Sequence, residues 1–157
     1  MSNPNETLQA KSDIQNPSNY ITPINKVPCL IEQRLDFLPQ YLGNAHLEFQ
    51  NSAYFFAQRL IEGYDGGYWE FYHLSNGGFL MEWNNSNNMT INSPNGSCAE
   101  VGTDTASIVL NLMVLSDLSF TLLNDTNTLD KVVHCFHALR EFALNHPNSA
   151  TILKLID

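Results

Sequence analysis

The apolar positions of this chain change period several times, and each change marks an element. Residues 1 to about 19, MSNPNETLQAKSDIQNPSN, carry no apolar cluster. They open an N-terminal tail, disordered or extended, that runs to residue 26. Pro23 and Pro28 bias the residues before them away from the helix. Leu30, Ile31, Leu35, Leu38 and Leu42 then fall roughly on one helical face. Pro39 is expected to kink that helix or end it early, and Gly43-Asn44 to stop it. His46 to Glu62 is a second helix. Its wide stripe is Leu47, Phe49, Ala53, Tyr54, Phe56, Ala57, Leu60 and Ile61.

From Gly66 to Trp83 the sequence reads GGYWEFYHLSNGGFLMEW. Asn76-Gly77 signals a hairpin, because both central residues of a type I′ turn need positive φ. With those two as the loop, Leu74 faces Phe79, Tyr72 faces Met81 and Glu70 faces Trp83. Trp69, Phe71, His73, Leu80 and Glu82 then share the other face. A three-residue loop would shift the register by one residue and turn one strand over. Rings lie on both faces, so helices or a third strand must cover at least one. The segment NMTIN, 88 to 92, is the expected third strand.

Thr103 or Asp104 is the expected N-cap of a long helix that begins near Thr105. Ala106 to Leu123 is apolar almost all round and reads as a buried central helix. Asn111, Asp117 and the absence of cationic flanks argue against a membrane span. Thr128 to Asn145 is amphipathic, with Leu129, Val132, Val133, Phe136, Leu139, Phe142 and Ala143 as its buried stripe. His146-Pro147 ends it, and Ser149 caps a last short helix, Ala150 to Ile156. Helices, then hairpin and strand, then helices give an α+β fold. It is read as one compact domain over 27–157, with a small antiparallel sheet at about 67–92 packed against several α-helices.

Charge narrows the function classes. Sixteen acids against seven bases give a net charge of −9. The bases are scattered singly, so direct nucleic-acid binding is not expected. Charged residues are only 15% of the chain, which is thin for a mimic of a phosphate ladder. Cys29, Cys98 and Cys135 are odd in number and far apart, without a CxxC pair. They read as reduced thiols of a cytoplasmic protein with neither disulfide framework nor structural zinc. The N-terminus has no apolar signal-peptide core.

Candidate chemistry is sparse. His134 and His137 lie three apart on one helix and could share a metal, yet no HExxH pattern accompanies them; the simpler reading exposes one and packs the other. Cys135 beside them is not placed to use either as a base, because sequence neighbours on a helix do not face each other. Glu70 and Glu82 are acids on adjacent strands, but in the expected register they point to opposite faces, against two-carboxylate chemistry. Ser75 lacks a nucleophile elbow, and the glycine pairs Gly66-Gly67 and Gly77-Gly78 lack a phosphate-loop pattern. No catalytic, cofactor-binding or metal residue is therefore nominated.

The block Tyr64-Asp65-Gly66-Gly67-Tyr68-Trp69-Glu70-Phe71-Tyr72, followed by Leu74-Ser75-Asn76-Gly77-Gly78-Phe79, resembles the signature of the ArdB/KlcA antirestriction proteins. Arg34-Leu35-Asp36-Phe37-Leu38-Pro39 is similar to that family's early segment. Asn95-Gly96 through Ile108 is similar to its middle block, and His137 through Ala143, with His146-Pro147 and Ile156-Asp157, to its closing block. The resemblance implies a compact α+β protein of mobile elements that protects incoming DNA from host type I restriction-modification systems, without an assigned catalytic site. The partner would be the restriction complex or an associated host factor. An acidic interaction module acting indirectly through a host regulator is the other class in play.

The residues expected to contact a partner are Asp65, Tyr68, Trp69, Glu70, Glu82, Glu100 and Asp104. The acids among them suit a basic surface. Gly66, Gly67, Asn76, Gly77 and Gly78 are expected to shape turns.

Overall fold

A computed structural model describes residues 22–157. The expected tail lies outside the described residues as far as position 21. Beyond it, strand β1 (Lys26–Pro28) is followed by a 3-10 turn, Ile31–Gln33, and helices α1 (Arg34–Leu42) and α2 (His46–Leu60). The hairpin β2 (Trp69–Leu74) and β3 (Phe79–Trp83) comes next, then β4 (Met89–Asn92) and β5 (Cys98–Val101). Helices α3 (Thr103–Thr121), α4 (Thr126–Leu144) and α5 (Ser149–Ile156) complete the α+β fold.

The hairpin register differs from the expected one by a single residue. His73 lies opposite Phe79, Phe71 opposite Met81, Glu70 opposite Glu82 and Trp69 opposite Trp83. The cause is the turn. Leu74 N–H donates to Gly78 O at 2.9 Å, and Gly77 N–H to Leu74 O at 3.0 Å, which leaves a three-residue loop, Ser75 to Gly77. Gly77 alone in it has positive φ, +88°, so the turn is type I closed by a left-handed glycine rather than type I′. The shift turns β3 over: Trp69, Phe71, His73, Phe79, Met81 and Trp83 share one face, and Glu70, Tyr72, Leu80 and Glu82 the other.

The third strand of this sheet is β1, not residues 88–92. It pairs antiparallel with β2, Val27 opposite His73. Residues 89–92 are a strand, but they pair with β5 in a separate two-stranded sheet. They cannot join β3, because α3 occupies its outer edge. The Asn111 carboxamide bonds the Met81 peptide there, and Ser107 Oγ accepts from Trp83 N–H at 3.0 Å. Two side chains one helical turn apart thus stand in for a neighbouring strand and close an edge that would otherwise be open.

Helix α3 is buried nearly all round, as its pattern requires; Ile108, Val109, Leu110, Leu112, Val114 and Leu115 are core residues. Among the described residues no helix is long and apolar enough to cross a membrane. The first helix is rotated from its expected face. Phe37, Leu38 and Leu42 are buried, whereas Ile31 is 83% and Leu35 91% exposed. The Phe37 ring decides this: it stacks on Phe71 at 5.0 Å and meets His73 and Phe79. Leu38 and Leu42 stay in the core, and Phe37 takes the place expected of Ile31 and Leu35, adding ring contacts to its buried area. The helix continues through Pro39 and ends at Gly43, whose N–H bonds Pro39 O. In α4 the buried row is Thr128, Val132, Cys135, Ala138, Leu139 and Ala143, and Val133 faces out.

Candidate functional site

The aromatic block is first a core. Trp69, 3% exposed, packs beside Tyr54, Tyr64 and Trp83. Its indole N–H donates to Tyr64 Oη, and that of Trp83 donates to Gly66 O. Trp69 therefore belongs to the interior and not to the contact surface expected of it. Tyr68, one residue earlier, points outward and is half-exposed.

Arg34 joins the early segment to this block. Its guanidinium lies 4.6 Å from the Tyr68 ring centre and 4.4 Å from that of Phe71, donates to Trp69 O at 2.8 Å, and stands 3.6 Å from Glu70. Planar stacking together with hydrogen bonding is work that a lysine cannot replace.

Glu70 and Glu82 point to the same face, directly across the strands, which corrects the opposite-face expectation. Like charges so placed repel. Each has its own cation: Lys26 bonds Glu82 and lies 4.3 Å over the Tyr72 ring, and Arg34 attends Glu70. The pair lines a polar cleft of about 330 Å³ with Tyr72, Asn84, Asn85 and Thr103. Two carboxylates matched one-to-one with fixed cations form a neutralised surface, which is poor ground for acid–base exchange between them.

The remaining acids do not converge on this cleft. Asp65 is exposed beside an open groove of about 730 Å³ lined by Tyr54, Phe55, Tyr64, Gly66 and Gly67. Glu100 is exposed on β5, opposite Thr90. Asp104 sits in the first turn of α3, where His146 Nε2 lies 2.9 Å from its carboxylate. Burial alone would raise the Asp104 pKa. The Thr105 N–H bond, the His146 bond and the His146 charge outweigh it and hold the carboxyl below its ordinary value.

The turn residues are held by close contacts. A Cβ on Gly78 would fall 2.7 Å from Ala138 Cβ. Asn76 Nδ2 donates to Ala138 O at 2.8 Å and to Glu141 at 3.1 Å, so the hairpin tip is tied to α4. Gly66 and Gly67 both have positive φ, and a side chain on Gly67 would meet the Trp83 indole at 2.7 Å.

His134 and His137 are both exposed, not divided between surface and core. Among the described residues no three metal-binding side chains come together. Cys135 is buried between helices, and burial pushes its thiol up to about 12, far from the thiolate a nucleophile needs. Sequence reasoning missed Lys26 and Arg34 as partners of the strand acids. It also missed Ser107 and Asn111, although two polar residues four apart in an apolar helix were a readable signal.

The family model described as "Antirestriction protein" matches residues 62–157. The antirestriction protein KlcA of Escherichia coli is 37% identical over 127 residues, covering 80% of this chain and 89% of the relative. The uncharacterized protein YafX of Escherichia coli strain K12 is 33% identical, covering 96% and 99%. A solved structure superposes with a TM-score of 0.78 at 35% identity, covering 86% of this chain and 96% of the other. It comes from work on the KlcA and ArdB proteins, which describes a novel fold and antirestriction activity against type I DNA restriction systems in vivo but not in vitro.

Proposed function

The chain belongs to the antirestriction protein family, and from that premise we propose that it protects incoming foreign DNA by blocking host type I restriction-modification systems. The observation that carries this is the superposition on the KlcA/ArdB fold, at 35% identity and 96% coverage of that chain, with the activity described for those proteins. The protein acts in the cytoplasm by binding and not by catalysis. The groups most capable of chemistry support that reading, because they are engaged elsewhere. Glu70 and Glu82 are matched by cations, and Cys135 is buried.

The partner is a protein. A net charge of −9 repels nucleic acid and favours a basic surface. Asp65 and Tyr68 are the exposed residues of the aromatic block and are the ones proposed to meet it. The contrast between activity in vivo and its absence in vitro, described for KlcA and ArdB, favours a second form of this reading, in which a host factor associated with the restriction system is the direct partner.

Plating of an unmodified phage on a restricting host, with and without the protein, tests the proposal. Protection is expected. Unchanged restriction, with soluble protein present and a known active relative protecting in parallel, rejects it.

A further inference from the structure

Three of the five aliphatics that periodicity assigns to the core, Leu30, Ile31 and Leu35, lie on the surface. Ile31 and Leu35, one helical turn apart, are 83% and 91% exposed, and Leu30 beside them is more than half exposed. No described residue covers them. Single exposed aliphatics are ordinary, but three within six positions form a patch, Leu30 in the extended residue before the helical segment and Ile31 and Leu35 one turn apart within it. The patch continues toward Tyr68 through Arg34, whose guanidinium lies over that ring. It therefore adjoins the rim of the aromatic block.

A second row runs alongside. Glu32 and Asp36 have the same four-residue spacing, are exposed, and belong to no ion pair among the described residues. An aliphatic row flanked by an exposed acidic row selects its partner by charge. Anionic lipid and nucleic acid are repelled by it. A second copy of the chain is disfavoured too, because each carries a net charge of −9 and its own acidic row.

We propose that Leu30, Ile31 and Leu35, with Glu32 and Asp36, form a docking surface for a protein segment that presents an apolar ridge flanked by Lys or Arg. The inference rests on the antirestriction reading and extends the contact proposed for Tyr68 across Arg34 onto this face. Proteins that handle DNA carry basic surfaces for phosphate contact, and an acidic row competes for such a surface.

Two variants test it: Ile31→Glu/Leu35→Glu, which removes the ridge contact, and Glu32→Lys/Asp36→Lys, which reverses the flank. All four positions are exposed, so both proteins should keep the wild-type fold, and Glu32→Lys/Asp36→Lys, which removes acids from the first turns of the helical segment, should melt slightly lower. Phage plating on a type I restricting host is the readout, at matched expression. Each variant is expected to lose protection by about tenfold or more, the factor that loss of an interface anchor carries. Protection by the wild type and equally by both variants overturns the inference and leaves the antirestriction reading intact. Absence of protection by the wild type defeats that reading, and the inference with it. A wild-type dimer in size-exclusion chromatography that the Ile31→Glu/Leu35→Glu variant abolishes assigns the face to a second copy, which also overturns the proposal.

Discussion

The Asn111 carboxamide holds the Met81 peptide by both of its polar groups. Met81 N–H donates to Asn111 Oδ1 at 3.0 Å, and Asn111 Nδ2 donates to Met81 O at 2.8 Å. The same nitrogen reaches Ser107 O at 2.7 Å within its own helix. All of this is buried. One side chain thus completes the edge of a strand that would otherwise carry unsatisfied groups in the core.

Replacing Asn111 with Leu leaves both Met81 groups without partners. The expected loss is about 2–4 kcal/mol, because each unmet buried group costs roughly 1–3. Urea unfolding of wild type and Asn111→Leu measures it. A change under about 0.5 kcal/mol would show that water or a shifted neighbour takes over these bonds.

The contact between Gly78 and Ala138 makes a paired prediction. Gly78→Ala sets two methyl carbons 2.7 Å apart at the junction of hairpin and α4. A destabilisation of about 1–3 kcal/mol is expected from such overpacking. Ala138→Gly in the same chain should restore part of it, at the smaller helix-propensity cost of about 1 kcal/mol. A double-mutant cycle reads the coupling directly. Strict additivity would mean that the two residues do not meet.

These two sites mark the boundary of what the sequence disclosed. The long apolar helix, the amphipathic α2 and α4, and the hairpin itself were all legible, since each rests on periodicity over many residues. The register was not, because Asn-Gly favours a two-residue loop locally, and it was the three-residue loop that laid Gly78 against Ala138. That one-residue slip moved Glu82 to the face of Glu70. The fate of Ile31 and Leu35 was equally hidden. Aliphatic spacing cannot reveal that Phe37, two residues from Leu35, finds a stack of rings from another part of the chain. The glycine and asparagine turn positions were legible as turns. The cations that neutralise the strand acids were not, since Lys26 and Glu82 are 56 residues apart.

Removing Lys26 should expose the cross-strand repulsion. Lys26→Ala leaves Glu82 opposite Glu70 with one cation where there were two. The expected cost is about 0.5–1 kcal/mol, shrinking in high salt. Adding Glu82→Gln to that variant should recover most of it. Thermal melts at low and high ionic strength test this, and a salt-independent loss would point to packing of the Lys26 stem on Tyr72 instead.

Asp104 predicts an acid dependence. Its carboxyl is held below the ordinary value, so the unfolded chain takes up the proton first as pH falls. The resulting stability is complete above the ordinary aspartate value of about 3.9 and disappears as pH drops through the lower folded value. Asp104→Asn should therefore be less stable than wild type at neutral pH, and the gap should close in acid. Denaturant midpoints across that range are the check. A gap that widened in acid would contradict the assignment.

Antirestriction by this protein is read from the plating efficiency of an unmodified phage on a host with an active type I system. Vector alone and a restriction-deficient host set the lower and upper limits. A rise from the vector value toward the restriction-deficient one, with DNA modification intact, is the predicted result. Plating that stays at the vector value, with folded protein in the cell and an active KlcA relative protecting alongside, contradicts the account.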